Sequence, residues 1–102
     1  MANLYLIIRR DAPDSLAKRL EVMQAHLKYA EDNKDRFMIG GALRFQPEQP
    51  AVGSAMVINA SDLEAAGSFA NADPFVANGV YESTEIFLFN VGVGAWIADK
   101  KL

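Results

Sequence analysis

The residues of this sequence best suited to proton transfer are its one histidine, His26, and Asp73, which precedes Pro74 and Phe75. Imidazole is the side chain that ordinarily changes charge between about pH 5 and 8. A carboxylate that accepts a hydrogen bond from one ring nitrogen leaves the other nitrogen free to accept or donate a proton. The sequence therefore predicts a His26–Asp73 pair for general acid/base catalysis. The alternative is a partly buried histidine that a carboxylate satisfies for structural reasons alone.

Further residues are predicted to bind a substrate beside this pair. Arg9 and Arg19 each carry a guanidinium group that can hold a carboxylate through two hydrogen bonds; alternatively, they are solvated or paired with nearby acids. Gly41 lets a substrate approach the backbone, although a β-bulge is the other explanation for a glycine inside a strand. Phe75 is expected to form a wall of the pocket, and Tyr81 to donate a hydrogen bond within it.

The sequence lacks the other common catalytic arrangements. It has no cysteine, which excludes disulfides, thiol nucleophiles and thiolate metal sites. A single histidine without cysteine also argues against a transition-metal site. The glycines of Gly92-Val93-Gly94 are not followed by the helix and lysine of a phosphate-binding loop. The predicted chemistry therefore uses neither a metal nor a cofactor.

Length, charge and hydropathy limit the class of protein. With 102 residues, 51% of them hydrophobic, the chain can bury a core and is predicted to form one domain. Its net charge of −3 gives no electrostatic basis for binding nucleic acid or an anionic membrane. No apolar stretch approaches the roughly 18 residues of a membrane span, and no basic segment with a long apolar run follows Met1. A cytoplasmic protein is therefore expected.

The apolar pattern alternates between strand and helix periods. The first helix is predicted at residues 16–33, where apolar residues recur at the three- and four-residue intervals of a helical stripe. These residues are Leu16, Leu20, Met23, Leu27 and Ala30. A second helix is predicted to begin at a capping box formed by Ser61 and Glu64 and to end at Asp73, before proline. Strands are predicted at residues 4–8, 37–45, 54–59 and 84–91, and a connector at 74–83 with a turn at Asn78-Gly79.

The predicted order β-α-β-β-α-β is that of the ferredoxin-like fold, an α+β arrangement with a four-stranded antiparallel sheet and both helices on one face. In the first strand Leu4, Leu6 and Ile8 point to one face, while Tyr5 and Ile7 point to the other. Both faces are therefore apolar, and the helices cover only one of them. A second copy of the chain is expected to cover the other, giving a homodimer whose sheets pack face to face. The core is predicted at about residues 3–91, with a tail at 92–102 that frays at 99–102.

Several segments together resemble the YciI-like (YCII-related) family. They are Arg19-Leu20, Ala25-His26-Leu27, Gly41, Ser61-Asp62-Leu63-Glu64-Ala65-Ala66 and the run from Ala72-Asp73-Pro74-Phe75 to Tyr81. The resemblance implies a dimeric ferredoxin-like α+β barrel with a histidine and an aspartate in catalytic roles, which correspond here to His26 and Asp73. A related branch of the family removes chloride from a muconolactone-type lactone during degradation of chlorinated aromatics, and muconolactone isomerases share the broader fold.

The chain departs from the family pattern at two places. Ala42 stands where a proline commonly follows the glycine of the second strand, which is expected to loosen that edge of the pocket. Residues 91–102 continue past the usual end, and Trp96 in this segment is expected to add a dimer contact or to cap the pocket.

The sequence thus predicts a small dimeric enzyme that binds a small molecule in a pocket. His26 and Asp73 would carry out isomerisation or elimination on a small organic acid or lactone, and Arg9 or Arg19 would hold the substrate carboxylate. Two alternatives stay open: a binding module that holds a metabolite without turnover, and a structural or interaction protein in which His26 is only part of the fold.

Overall fold

The computed structural model describes residues 3–97, so the predicted frayed segment 99–102 lies outside the described residues. The strands are β1 (Asn3–Asp11), β2 (Phe37–Leu43), β3 (Gly53–Ala60) and β4 (Tyr81–Leu88). The helices are α1 (Leu16–Asp32), α2 (Leu63–Asn71) and the short α3 (Pro74–Ala77), and a 3-10 turn at Lys34–Arg36 leads from α1 into β2. Over residues 3–97, no helix is both long and apolar enough to cross a membrane.

The four strands form one antiparallel sheet in the order β2-β3-β1-β4. In the centre of the sheet, Ile7 of β1 lies opposite Met56 of β3 and Ile86 of β4. The long helices follow β1 and β3, as in the ferredoxin-like arrangement. The predicted fold class, α+β with a four-stranded antiparallel sheet, is therefore confirmed.

The core lies between α2 and one face of the sheet. Alternate residues of β1 and β3 point to this face, because side chains along a strand alternate in direction. The buried apolar side chains of this core are Tyr5, Ile7, Met56, Ile58, Ala60, Ala66, Phe69 and Ala70. Since α2 packs against β1, β3 and β4, its C-terminal end is held in place over the sheet, and Asp73 follows directly after that end.

β3 begins with a glycine because the backbone of β1 passes very close to it. A Cβ atom built at Gly53 would lie 2.0 Å from the carbonyl oxygen of Arg9. Any side chain at this position would have to displace the backbone of β1, so glycine keeps the two strands in register beside Arg9.

The cap of α2 differs from the predicted one. The helix begins after Asp62, whose carboxylate accepts a hydrogen bond from the backbone N–H of Ala65 at 2.8 Å. The predicted capping box of Ser61 and Glu64 is therefore wrong by one residue. Aspartate and serine are both good N-cap residues, so the sequence alone does not distinguish them here.

The predicted connector at 74–83 contains a helix and the start of a strand. Asp73 caps α3, and Pro74 fits its first turn because proline lacks only an N–H that would be unpaired there. The turn at 78–79 is as predicted, with Gly79 at φ +69°. β4 then spans Tyr81–Leu88 rather than residues 84–91. A helix of four residues is too short to show a helical period in the sequence.

The glycines of β2 do not form a bulge. The register between β2 and β3 shifts between Phe37 and Ile39, and Gly40 and Gly41 then pair regularly with β3. The irregularity therefore lies at Met38, before the glycines.

The second face of the sheet carries the apolar side chains that the strand pattern predicts. Leu6 of β1 lies beside Val57 of β3 and Phe87 of β4. Leu6 and Val57 are half-buried, and Phe87 is exposed. This open sheet face, as it is called below, consists of Leu6, Ile8, Ile39, Val57 and Phe87.

Candidate active site

A cleft of about 620 Å³ lies between α1 and the strands β2 and β3. α1 packs against α3 at the edge of the core, and of its 17 residues only Arg19 is buried. The apolar stripe predicted for this helix therefore does not pack into the core. Leucines and a methionine of the stripe line the cleft instead, facing small residues of β2 and Met56 of β3.

His26 and Asp73 meet at this cleft. Nδ1 of His26 lies 2.9 Å from Oδ1 of Asp73, a hydrogen bond. The carboxylate is 2% exposed, whereas the imidazole is 22% exposed and lines the cleft. An ionised carboxylate only accepts hydrogen bonds, so with Asp73 ionised this contact requires the proton on Nδ1. In the neutral ring Nε2 is then an acceptor.

Asp73 is held in position by its own place in the chain. It precedes Pro74, which favours an extended backbone at this residue, and its φ of −62° and ψ of 127° are extended. Its Oδ1 also accepts a hydrogen bond from the backbone N–H of Phe75 at 2.9 Å. The same oxygen thus caps α3 and orients His26.

Phe75 forms the floor beneath the histidine ring. The two rings are stacked, with centroids 3.9 Å apart and an interplanar angle of 7°. The guanidinium carbon of Arg19 lies 4.8 Å from the centroid of the same phenylalanine ring. Phe75 is completely buried, so it supports His26 without lining the cleft.

Arg9 lies on the far side of Asp73 and is completely buried. Its Nη2 donates to the carbonyl of Ala70 at 2.6 Å, and its Nη1 lies 3.6 Å from Oδ2 of Asp73. The guanidinium carbon also lies 4.8 Å from the centroid of the Tyr81 ring. The structure therefore places Arg9 against the aspartate and not in the cleft, where a substrate carboxylate would be.

Arg19 borders the cleft but is engaged by a nearby acid. Its Nε and Nη2 donate to the two carboxylate oxygens of Asp11 at 2.7 and 3.1 Å. Its Nη2 also donates to the carbonyl of Gly53 at 3.2 Å. This is the alternative stated above for the arginines, pairing with a nearby acid.

The remaining two residues predicted for the site, Tyr81 and Gly41, do not place a side chain in the cleft. Tyr81 accepts a hydrogen bond from the hydroxyl of Ser54 at 3.1 Å, and burial raises the pKa of Tyr81 above its usual value. Ser54, and not Tyr81, lines the cleft. Gly41 lines the cleft through its backbone, but a Cβ at Gly41 would meet nothing within 4 Å. A Cβ at Gly40 would lie 3.3 Å from the Phe37 ring.

Tyr29 and Arg44 are among the cleft residues that the sequence analysis does not predict for the site. Tyr29 of α1 donates to the carbonyl of Phe69 at 2.5 Å, and burial, together with the charge of Asp73, raises the pKa of Tyr29 to about 12. Arg44 follows β2 and donates through Nη1 to the carbonyl of Gln49 at 2.7 Å. The one sequence signal for Arg44 is its place at the end of a strand that contains two glycines.

Trp96 is 84% exposed and does not line the cleft, so within the described residues it does not cap the pocket. Over residues 3–97, no group of three histidine, aspartate or glutamate side chains is arranged to hold a metal ion.

Comparisons with known proteins place these features in a family. The protein YciI of Escherichia coli O6:H1 (strain CFT073) is 37% identical over 90 residues, covering 81% of this chain and 92% of that protein. An uncharacterized protein of Haemophilus influenzae is 32% identical over 84 residues, covering 76% and 86%.

A solved structure is similar in both fold and sequence. It is that of 5-chloro-2-hydroxyhydroquinone dehydrochlorinase (TftG) from Burkholderia phenoliruptrix AC1100 in complex with 2,5-dihydroxybenzoquinone. The TM-score is 0.80 at 30% identity, and the match covers 87% of this chain and 95% of TftG. A model of the YCII-related domain family matches residues 3–90. The chain therefore belongs to the YCII-related domain family.

Proposed function

We propose that this chain is an enzyme in which His26 transfers a proton on a small organic acid or lactone without a cofactor. The observation that carries the proposal is the 2.9 Å contact between His26 and the buried carboxylate of Asp73. Because Nδ1 faces Asp73, the second ring nitrogen, Nε2, points away from it. His26 itself lines the cleft.

In the proposed reaction Nε2 of His26 accepts a proton from a carbon atom of the substrate. The imidazolium that forms donates through Nδ1 to Asp73, whose negative charge stabilises it. In an isomerisation the proton returns to a different carbon, and in an elimination the C–H electron pair forms a double bond as the leaving group departs. A positioned base of this kind contributes a factor of about 10²–10⁴ to the rate.

Arg9 supports this chemistry without touching the substrate. A buried charge needs a partner of opposite charge close by. The guanidinium of Arg9 is such a partner, since its Nη1 lies 3.6 Å from Oδ2 of Asp73 on the side away from His26. Arg9 is thus a positioning residue in the proposal, in place of its predicted role in substrate binding.

The name of TftG favours elimination over isomerisation. A dehydrochlorinase removes HCl, so it needs a base and no oxidant. On a hydroxylated ring, the base would take the proton of a ring hydroxyl in the keto tautomer, and the O–H electron pair would form a quinone C=O as chloride departs. The ligand in the TftG structure is a dihydroxylated quinone. We therefore extend the proposed substrates from organic acids and lactones to oxygenated six-membered rings.

Chloride release from 5-chloro-2-hydroxyhydroquinone, and deuterium exchange from solvent into muconolactones, test the proposal. His26→Gln is expected to lower turnover by a factor of about 10²–10⁴. Asp73→Asn keeps the oxygen that caps α3 and is expected to lower turnover at least tenfold. Asp11→Asn is the matched control, because it makes the same change in a carboxylate that does not contact His26. Unchanged turnover in His26→Gln would refute the mechanism.

A binding module is the second candidate function, and the cleft itself favours it, since about 620 Å³ is a typical size for a ligand pocket. Recovery of a bound ligand unaltered after long incubation, with every compound of the panel inert, would support this alternative.

We also propose that the chain forms a homodimer through the open sheet face. Leu6, Ile8, Ile39, Val57 and Phe87 present an apolar surface of the kind that marks an interface. Phe87→Lys places a charge there and is expected to convert a dimer into a monomer in sedimentation experiments. A wild-type monomer at micromolar concentration would contradict this.

We further propose that residues 1–102 form one domain, and, since cysteine is absent, that it works in the reducing cytoplasm.

A further inference from the structure

The apolar stripe of α1 is exposed along the cleft. Leu16, Leu20 and Leu27 are 42%, 62% and 50% exposed, and Met23 lies beside them on the wall of the cleft. Leucines recurring at helical spacing are ordinarily buried, because removing their apolar surface from water stabilises the folded chain. Here that apolar surface is available to a ligand.

The cleft is long. Its residues on α1 extend from Leu16 to Glu31, a distance of roughly 22 Å at a rise of about 1.5 Å per residue. The opposite wall is also apolar over much of its length, with Phe37, Ala42 and Met56. A single six-membered ring at His26 would leave most of this apolar surface in contact with water.

One cation of the cleft has no carboxylate partner within the part of the chain that the structure describes. Arg19 is paired with Asp11, and Lys34 with Glu31 at 3.1 Å. Arg44 donates to a backbone carbonyl through Nη1, and no carboxylate of residues 3–97 lies within 4.0 Å of its guanidinium nitrogens. Its remaining N–H groups match a carboxylate or sulfonate, because guanidinium binds such groups through paired hydrogen bonds.

We propose that the cleft binds an extended apolar molecule that carries an anionic group, with Arg44 bound to the anion and the apolar part along the leucines of α1. The occupant is a small amphiphilic acid. This inference rests on the proposed function only for the position of the reactive atom, which lies at His26; the binding itself requires no turnover.

Two fluorescent probes test the proposal: 1-anilinonaphthalene-8-sulfonate and N-phenyl-1-naphthylamine, which has the same rings without the sulfonate. Arg44→Gln is expected to weaken binding of the sulfonate about tenfold, in line with a charged hydrogen bond, and to leave the neutral probe within about twofold. Arg44→Lys keeps the charge and is expected to recover part of the affinity. Leu20→Ser is expected to weaken both probes about tenfold.

Arg10→Gln is the matched control. Arg10 is exposed and follows Arg9 in β1, so its side chain points to the opposite face of the sheet. The control is expected to change neither affinity. The proposal is overturned if Arg44→Gln affects both probes equally or neither, or if Leu20→Ser leaves both affinities unchanged. Loss of turnover in His26→Gln with no effect of Arg44→Gln would overturn this inference alone and leave the proposed function standing.

Discussion

Among residues 3–97, two arginine–aspartate pairs are largely buried, and their geometries differ. Arg19 binds Asp11 through two hydrogen bonds of 2.7 and 3.1 Å that use both carboxylate oxygens. Arg9 approaches Asp73 only to 3.6 Å, and its one hydrogen bond, of 2.6 Å, goes to the carbonyl of Ala70. Nε and Nη1 of Arg9 and Oδ2 of Asp73 have no hydrogen-bond partner among the described residues.

The difference follows from the groups that each aspartate contacts. Among the described residues, the carboxylate of Asp11 accepts side-chain hydrogen bonds only from Arg19, and this pair connects α1 to the end of β1. Asp73 gives Oδ1 to His26 and to the backbone of Phe75, so only Oδ2 faces Arg9. Buried polar groups are ordinarily hydrogen-bonded, so the looser Arg9–Asp73 pair beside His26 accords with the proposed function, whereas the bidentate Arg19–Asp11 pair is explained by structure alone.

The largest expected effect comes from removing the cation of the incompletely bonded pair. Arg9→Met leaves the carboxylate of Asp73, which is 2% exposed, without its buried counter-charge. Breaking a buried ion pair from one side costs about 3–5 kcal/mol. Urea unfolding at neutral pH is expected to show a loss of this size, and a loss below about 1 kcal/mol would contradict the assignment of Arg9.

The double variant Arg9→Met with Asp73→Asn sharpens this prediction. When both charges are removed, no unpaired ion is left in the interior, so the double variant is expected to be more stable than the sum of the two single losses implies. Arg9→Lys keeps the charge and is expected to lie between wild type and Arg9→Met.

Arg19→Met is expected to have a smaller effect on stability, about 2 kcal/mol, because the Asp11 side chain left behind is 10% exposed and can be hydrated. The two pairs are also expected to differ in the proton-transfer assay when the aspartate of each is replaced. Asp11→Asn removes the matching carboxylate and is expected to leave turnover nearly unchanged, whereas Asp73→Asn reduces it. Equal losses of turnover in the two aspartate variants would remove the distinction between the pairs.

The sequence predicts the contact between His26 and Asp73 better than the contact between Arg9 and Asp73. His26 and Asp73 are identifiable because a lone histidine and an Asp-Pro-Phe segment are local signals, and their contact needs only the predicted fold. The burial of Arg9 is not visible in the same way. An arginine at the end of a strand is usually solvated, and its inward direction depends on the strand extending to Asp11 rather than ending at Ile8.

The apolar stripe of α1 shows the same limit. Its spacing predicts a helix correctly, but it does not state whether the stripe contacts a sheet or a cleft, since both surfaces are apolar. α2 uses alanines to pack closely on the sheet. α1 has large leucines, which line the cleft, and it packs against α3 at the edge of the core. That difference depends on the distance between elements, which a periodic pattern does not encode.

Tyr81 tests the surroundings of Arg9 with a smaller change. Tyr81→Phe keeps the ring beside the guanidinium and removes the oxygen that accepts from Ser54. The expected loss of stability is about 1 kcal/mol, the value of one partly buried hydrogen bond. Ser54→Ala removes the other partner, and the two losses are expected not to add. A loss as large as that of Arg9→Met would mean that the tyrosine oxygen, and not the ring, supports the arginine.

The smallest expected effect is on stability at alkaline pH, and it also concerns the Arg9–Asp73 pair. Burial, and then the charge of Asp73, raises the pKa of Tyr29 from 10.0 to about 12, whereas Asp11 is not among the causes. The folded state therefore keeps a proton that the unfolded state loses, so this contribution to stability is full below pH 10 and is lost as the pH rises to about 12.

Tyr29→Phe has no such proton. The difference in unfolding free energy between wild type and Tyr29→Phe is expected to narrow between pH 9.5 and 11.5, by less than about 1 kcal/mol for a half-exposed ring. With Asp73→Asn in both proteins the narrowing is expected to be smaller, whereas Asp11→Asn is expected to leave it unchanged. Equal effects of the two aspartates would show that Tyr29 does not distinguish one pair from the other.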